Sequence, residues 1–150
     1  MPVETADRYR WFCPITTRWM DNDVYGHVNN VTYYSYFDTA ANLFLIREGG
    51  LDIAASPVIG VVVESHCNYR EAVAYPESLR AGLRVDKLGN RSVTYGIGIF
   101  RERAAQDAAA CAHGHFVHVF VDRATRKPVP IPDAIRRALA TLTTSAVSND

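Results

Sequence analysis

Apolar and polar residues alternate in two stretches of the second half of the chain, residues 77–88 and 92–100. Every second residue from Leu79 to Val85 is apolar, and arginines occupy two of the three positions between them. A period of two residues is typical of a strand with one buried face. Residues 59–70 instead begin within the continuous apolar run V-I-G-V-V-V at 58–63 and then become polar. The pattern predicts four strands, over residues 59–70, 77–88, 92–100 and 109–122.

Short polar segments separate these strands and predict hairpins. The turn L-G-N-R at 88–91 contains Gly and Asn, which adopt positive φ angles at low cost. R-E-R-A-A-Q-D at 101–107 is a polar hairpin loop. P-V-P-I-P at 128–132 ends the last strand, and a short helix is expected over 133–142.

A different period, of three to four residues, characterises residues 31–48 and predicts an α-helix. The helix is expected to begin at Asn29 or Asn30, either of which is a good N-cap, and to end at Gly49–Gly50. Apolar side chains cover much of its circumference. Such a helix is expected to be buried rather than laid on a surface.

Aromatic and β-branched residues dominate residues 9–20, which we interpret as a first strand. Pro14 lacks a backbone N–H, so this strand is expected at a sheet edge or with a bulge. The residues expected on one common face are Tyr9, Trp11, Cys13, Ile15 and Trp19. The order of strand, buried helix and four strands predicts an α+β domain, in which an antiparallel sheet curls around the helix.

Composition narrows the class of protein. The chain has 150 residues, of which 48% are hydrophobic, so residues 1–150 are expected to form a single domain. Sixteen basic and 16 acidic residues balance, so a nucleic-acid or membrane partner has no support. The N-terminal residues do not resemble a signal segment, and the apolar runs are too short to span a bilayer. A cytoplasmic location is expected, with Cys13, Cys67 and Cys111 as reduced, mostly buried thiols.

The stretch D-N-D-V-Y-G-H-V-N-N at residues 21–30 connects the first strand to the helix. Backbone N–H groups at a helix start lack partners and favour a developing negative charge. A carboxylate a few residues upstream can face the same point, so a carbonyl held there would meet a base or nucleophile and an oxyanion site. A base or nucleophile and an oxyanion site are the minimum set of groups for acyl transfer to water. The alternative is that the acids only stabilise the turn or cap the helix.

The longer motif W-M-D-N-D-V-Y-G-H-V-N-N-V-T-Y-Y-S-Y-F-D resembles the signature of hotdog-fold acyl-CoA thioesterases of the 4-hydroxybenzoyl-CoA thioesterase type. The N-Y-R-E-A-V-A-Y-P-E-S-L stretch, the L-G-N-R-S turn and the ending V-F-V-D-R-A-T-R-K-P-V-P-I-P agree with it. The resemblance covers about residues 9–140. It implies an α+β hotdog fold, with a five- or six-stranded antiparallel sheet wrapped around one long helix. It also implies a homodimer as the smallest working unit, with homotetramers frequent.

By position, the resemblance implies that Asp23 is the catalytic carboxylate, acting as nucleophile or general base. The backbone N–H near Asn30 would be the oxyanion donor. Gly26 would allow the tight turn. His27 and Asn29 would either position water or Asp23, or bond the loop to itself. Asp21 is expected to be a solvated or structural acid.

The substrate implied by the resemblance is an acyl-CoA, or alternatively an acyl carrier protein, and no cofactor is required. Its acyl group would lie beside the helix at a dimer interface, lined by Tyr25, Tyr33 and residues 61–63, beginning with Val61. Tyr34 and Tyr36 are expected to be core aromatics. The phosphates of coenzyme A need cations near the tunnel mouth. The candidates are Lys87, Arg91 and Ser92, with Arg70, Arg80 and Arg84 as alternatives.

Three other interpretations compete with metal-free hydrolysis. The histidines of H-G-H-F-V-H suggest a metal site, but His113 and His115 share a strand face that His118 does not, so a metal-free protein is expected. A second possibility is a non-catalytic module that binds acyl-CoA or acyl carrier protein on the same fold. A third is a hotdog dehydratase, for which His27 is the candidate residue.

Overall fold

Five antiparallel strands form one sheet in the computed structural model, which describes residues 3–143. The strands are β1 (Trp11–Thr16), β2 (Val58–Tyr69), β3 (Ser78–Leu88), β4 (Ser92–Arg101) and β5 (Ala112–Asp122). Their order across the sheet is β1-β3-β4-β5-β2, which makes β1 and β2 the edges. Two helices, α1 (Thr32–Arg47) and α2 (Asp133–Ala140), complete the α+β arrangement, which agrees with a hotdog fold.

Helix α1 packs on one face of the sheet and contacts β1, β2 and β3. The inward residues of β3 are those that the alternation predicted, from Leu79 to Val85. Burial of each large apolar side chain contributes roughly 1.5–3 kcal/mol to this packing. The buried residues of α1 are Tyr33, Tyr36, Phe37, Ala40, Ala41, Phe44 and Leu45.

The predicted burial of α1 is confirmed on the face toward the sheet and wrong on the opposite face of the single chain. Ser35, Asp38 and Ile46 lie on a face of α1 that is exposed to solvent. A sheet of five strands covers one side of the helix and leaves the other open. The end of the helix was predicted correctly: Gly50 has a φ of 72°, and the Leu51 N–H donates back to the Leu45 carbonyl at 3.0 Å.

Strand β1 is an edge strand, as Pro14 predicted, because it pairs with β3 alone. It is shorter than expected, and two of its predicted inward residues are elsewhere. Tyr9 lies on the opposite face of the sheet, against Phe100, because the backbone bends at residue 10 and shifts the alternation. Trp19 follows the end of the strand, and 79% of it is exposed.

Strand β2 is the other edge, and half of it is uncovered. It pairs with β5, with a register shift between Val62 and Glu64 that makes Val63 a bulge residue. Val62 is 44% exposed and Val63 is 58% exposed. This edge therefore presents both apolar side chains and unpaired backbone groups.

The three cysteines are buried and form no disulfide, as expected. Within residues 3–143, no helix is long and apolar enough to cross a membrane.

The face assignment for the histidines of β5 is confirmed. His118 points into the core and is 1% exposed, with its Nδ1 3.2 Å from the Tyr95 hydroxyl oxygen. Burial lowers the pKa of His118 to about 4. His115 lies on the outer face, with its Nε2 2.7 Å from a carboxylate oxygen of Glu64.

We expect His118 to make the protein less stable in mild acid. The unfolded chain binds a proton at this histidine near pH 6.5, whereas the folded chain does so near pH 4. The free energy of unfolding should therefore fall as the pH drops from about 6.5 to about 4, by on the order of 3 kcal/mol. Urea unfolding at several pH values measures this. His118→Gln should flatten the slope and His115→Asn should retain it; equal slopes in all three proteins would contradict the assignment.

Candidate active site

A buried carboxylate fastens the connection between β1 and α1. Asp21 ends a one-turn 3₁₀ helix (Trp19–Asp21) and is 1% exposed. Its Oδ2 accepts hydrogen bonds from the Arg18 backbone N–H at 2.9 Å and the Tyr36 hydroxyl at 2.7 Å. Its Oδ1 accepts one from the Arg18 Nε at 3.1 Å. Asp21 is thus a structural acid rather than a solvated one.

These donors decide the ionisation of Asp21. Burial alone would raise its pKa, but the hydrogen bonds from Tyr36 and Arg18, together with the Arg18 charge, outweigh burial and hold the pKa below the usual range of a carboxyl. The carboxylate therefore stays charged and bonded to the first turns of α1 at neutral pH.

A tight turn two residues later holds Asp23. The Gly26 N–H donates to the Asp23 carbonyl at 3.2 Å, and the Asp23 N–H donates to the His27 carbonyl at 2.9 Å. Gly26 has a φ of 89°, which favours glycine, as the sequence predicted. The Tyr25 N–H donates to the Asp23 Oδ1 at 2.9 Å, and the other carboxylate oxygen is 3.7 Å from the His27 Nδ1. One carboxylate oxygen is thus held by the turn, and the second faces His27.

Among residues 3–143, the Asn30 backbone N–H at the start of α1 is without an acceptor. The N-cap position is Val31 rather than Asn29 or Asn30. The Asn29 Oδ1 accepts from the Val31 N–H at 3.1 Å, and the Asn29 carbonyl accepts from the Thr32 N–H at 2.9 Å. Asn29 therefore bonds the loop to itself, one of the two predicted alternatives. Within residues 3–143, no acceptor contacts the Asn30 N–H.

Asp23 and Asn30 line the same cavity, which has a volume of about 280 Å³. Among the residues predicted for the site, His27 and Tyr33 line it as well. The remaining lining residues are Val28, Tyr69, Arg70, Glu71 and Ala72. The loop is attached to the segment after β2 through the Val28 N–H, which donates to the Val73 carbonyl at 2.8 Å.

A chain of ion pairs begins at Arg70 and Glu71, which line the cavity. Arg70 and Arg101 both pair with Glu71, at 3.2 and 2.8 Å. Arg101 also pairs with Glu77 at 2.7 Å, and the Glu77 carboxylate accepts from the Ala74 N–H at 2.7 Å. These side chains are partly exposed, so each pair contributes little to stability on its own. Together they hold the segment between β2 and β3 against the sheet.

Of the residues predicted to line the acyl group, Tyr25 and residues 61–63 do not line this cavity in the single chain. Tyr25 is 82% exposed at the tip of the turn, with its ring stacked on His27. Val61 lies half-buried in the first half of β2, beside Val119 of β5. Tyr34 and Tyr36 pack in the core, as expected, and Tyr36 has the additional bond to Asp21.

The predicted phosphate-binding turn lies at the far end of the sheet from Asp23. Ser92 of β4 is opposite Val119 of β5 in the strand register. Tyr69, beside the cavity, is opposite Ala112 of β5. Seven residues of an extended strand separate these positions, roughly 23 Å at ~3.3 Å per residue. The fold of one chain therefore does not bring Lys87, Arg91 or Ser92 to Asp23.

Of the alternative cations, Arg70 alone is among the residues that line the cavity. Arg80 stacks over the Phe12 ring at 4.4 Å, and Arg84 pairs with Glu4 at 2.8 Å and with Asp86 at 2.7 Å. Both arginines belong to structural contacts outside the cavity.

Tyr69 and Glu71 were missed as site residues by sequence reasoning. Both belong to the N-Y-R-E-A stretch that the family resemblance had singled out without assigning roles. Their place beside Asp23 depends on the contact between the end of β2 and the start of α1, which no local pattern encodes.

Metal binding has no candidate cluster in the part of the chain that the structure describes. Residues 3–143 contain no group of three or more His, Cys, Asp or Glu side chains arranged to hold an ion. The metal-free interpretation stays a prediction.

Comparison with known proteins places the chain among thioesterase-like folds. A model of the thioesterase-like superfamily matches residues 17–139. The chain is 53% identical to the PA5185 protein of Pseudomonas aeruginosa strain PAO1, with a TM-score of 0.92 over 97% of this chain and 100% of that one. The PA2801 protein of Pseudomonas aeruginosa, a proposed thioesterase, is 29% identical, with a TM-score of 0.79 over 87% and 98% of the two chains. A curated relative, the uncharacterized protein YsmA of Bacillus subtilis (strain 168), is 25% identical over 91 residues, which is 61% of each chain.

We expect Asp21→Asn to destabilise the protein. The amide is uncharged and has one acceptor oxygen, whereas the carboxylate accepts from three donors through two oxygens. The expected loss at pH 7 is about 3 kcal/mol in the free energy of unfolding, measured with urea. The low pKa of Asp21 means that its contribution is complete above the ordinary carboxyl pKa and disappears as the pH falls through the lower folded-state value. The difference from wild type should therefore shrink below about pH 4.

Asp38→Asn, on the exposed face of α1, is the matched control and should change stability by less than about 0.5 kcal/mol. If Asp21→Asn unfolds at the same urea concentration as wild type at pH 7, the connection is not held by this carboxylate.

Proposed function

The chain belongs to the thioesterase-like superfamily, and we propose that it hydrolyses an acyl-CoA to a carboxylic acid and free coenzyme A without a metal ion. We further propose that it is an enzyme of the 4-hydroxybenzoyl-CoA thioesterase type, which its motif resembles. One observation carries the proposed activity: Asp23 and Asn30 line one cavity, and the Asn30 N–H has no acceptor among residues 3–143. A thioester carbonyl between them has an acid oxygen on one side and a hydrogen-bond donor on the other.

The geometry at the helix start supports Asn30 as the oxyanion donor. In a trans peptide the C=O and N–H groups point in opposite directions. The Asn29 carbonyl accepts from the Thr32 N–H within the first turn, so the Asn30 N–H of the same peptide points away from the helix. The positive end of the helix dipole adds to its attraction for a developing oxyanion. A donor of this kind typically contributes about 10²–10³ in rate.

Two routes through Asp23 remain open. As a nucleophile, the carboxylate attacks the thioester carbon, the coenzyme A thiolate leaves, and water opens the resulting mixed anhydride. As a general base, it takes a proton from water while the water oxygen attacks the same carbon. In both routes the negative charge on the carbonyl oxygen develops toward the Asn30 N–H. His27, 3.7 Å from the carboxylate, is placed to orient Asp23 or the water.

We propose a homodimer in which a second copy completes the site. The exposed edge of β2 supports this. Val62 and Val63 are uncovered there, and on its outer side β2 pairs with no other strand of the described sheet. Antiparallel pairing of two β2 edges places the far end of one sheet beside the Asp23 end of the other. The Lys87, Arg91 and Ser92 turn of the second copy would then reach the phosphates of a substrate bound at Asp23.

We expect Asp23→Asn to abolish most of the activity, since it keeps the size of the side chain and removes its charge. Thiol release from a panel of short, branched, aromatic and long acyl-CoAs measures hydrolysis. For any thioester that wild type cleaves, the variant should lose at least ~10²-fold in kcat. Asp107→Asn, on an exposed loop, is the matched control and should retain wild-type rates.

Other outcomes of the panel point elsewhere. Equal rates for wild type and Asp23→Asn would make Asp23 structural. If wild type cleaves no acyl-CoA or acylated carrier protein yet binds one, the non-catalytic module replaces the hydrolase. Hydration of an enoyl thioester without thiol release would favour the dehydratase.

We expect Val63→Lys both to dissociate the oligomer and to lower the activity. A lysine at the bulge of β2 would place a charge in the proposed interface. Light scattering should give two or four times the 16.7 kDa chain mass for wild type and one chain mass for the variant. The loss of the second copy's phosphate contacts should lower kcat/KM by at least about tenfold.

Ile53→Lys is the control for this experiment. Ile53 is 65% exposed in the loop before β2, so the same change there should alter neither mass nor activity. A folded, monomeric Val63→Lys protein with wild-type kcat/KM would mean that one chain contains the whole site.

A further inference from the structure

Tyr69 joins the edge strand to the start of α1. It is the last residue of β2, and its hydroxyl donates to the Asn30 carbonyl at 2.9 Å. Its ring packs edge-on against Tyr33, in the first turn of α1, with centroids 5.1 Å apart. Tyr69 therefore contacts the helix start at two points and lines the cavity between them.

The hydroxyl contact completes a clamp on one peptide unit. The peptide between Asn30 and Val31 is held at its N–H by the Asn29 Oδ1 and at its C=O by the Tyr69 hydroxyl. Because a peptide unit is planar, two bonds on opposite sides fix its orientation. The preceding peptide, which contains the Asn30 N–H, is held through the Asn29 carbonyl. The two dihedral angles of Asn30 lie between these fixed planes, so its N–H has little freedom to turn.

We propose that Tyr69 is a positioning residue that holds the Asn30 N–H on the line of approach of the oxyanion. The inference rests on the proposed function, because it assigns a role within that site. Oxyanion donors contribute most when their direction is set before the reaction, so that no reorganisation accompanies charge development. Tyr69 sets that direction from a strand, while Asn29 sets it from the loop.

The surroundings of Tyr69 separate this role from simple stabilisation. The residue is 47% exposed, so water can satisfy the Asn30 carbonyl if the hydroxyl is removed. The helix start is also held by the buried Tyr33 ring and by the hydrogen bond from Val28 to Val73. Partial desolvation and the neighbouring Cys67 raise the pKa of Tyr69, so its hydroxyl remains a donor at neutral pH. Loss of the hydroxyl should thus change alignment more than folding.

Tyr69→Phe tests the proposal, because it removes the hydroxyl and keeps the ring against Tyr33. The best acyl-CoA from the panel serves as substrate, at a temperature at which thermal unfolding shows both proteins fully folded. We expect kcat and kcat/KM to fall together by about three- to tenfold, with KM unchanged, as for a contact realised in the transition state. The native mass should equal that of wild type.

Tyr75→Phe is the matched control. The Tyr75 ring packs edge-on against Trp19 and does not line the cavity, so removal of its hydroxyl should leave kcat and KM at wild-type values. Wild-type kcat in Tyr69→Phe would overturn the positioning role and leave the proposed function intact. A loss of kcat that accompanies a changed mass or a lower folded fraction would assign Tyr69 to structure and overturn it as well. An inactive wild type would remove the proposed function and this inference together, a result distinct from the other two.

Discussion

The geometry of the candidate site depends on a negative charge buried at Asp21. A charged carboxylate without partners is costly to bury, by several kcal/mol, so the chain must bring donors to it. The Arg18 backbone and side chain supply them from the end of β1, and the Tyr36 hydroxyl supplies another from α1. The same carboxylate thereby fixes the distance between the edge strand and the helix, and the intervening loop must fold within that distance.

Several small polar residues between β1 and α1 bond backbone groups that the short loop would leave without a partner. The Asn22 Oδ1 accepts from the Tyr75 N–H at 3.0 Å, and the Asn29 Oδ1 accepts from the Val31 N–H. Asp23 is held in the same way through one oxygen, while its second oxygen lies 3.7 Å from the His27 Nδ1. The Asn30 N–H is left out of these bonds. Its isolation makes the helix start available to a ligand.

Parts of the fold that could contact another chain are exposed in the single chain. Helix α1 is exposed on the side away from the sheet, and β2 presents apolar residues along an unpaired edge. The predicted phosphate-binding turn is at the other end of the sheet from Asp23. The last two observations have a common explanation if two sheets meet edge to edge, since pairing covers β2 and brings opposite ends together. Tyr69, at the end of β2, would then connect the interface with the helix start.

Local pattern in the sequence determined the strand positions, the inward face of β3, the end of α1 at Gly50 and the turn at Gly26, because period and special φ values are properties of neighbouring residues. The motif also identified Asp23 and the helix start as one candidate site. Tertiary structure decided what depends on residues distant in sequence: that Tyr9 and Trp19 leave the core face, that Tyr69 and Glu71 join the cavity, and that Tyr25 and Val61 do not line it. It also decided the environment of Asp21, since burial and the bond from Tyr36 arise only when α1 packs beside β1.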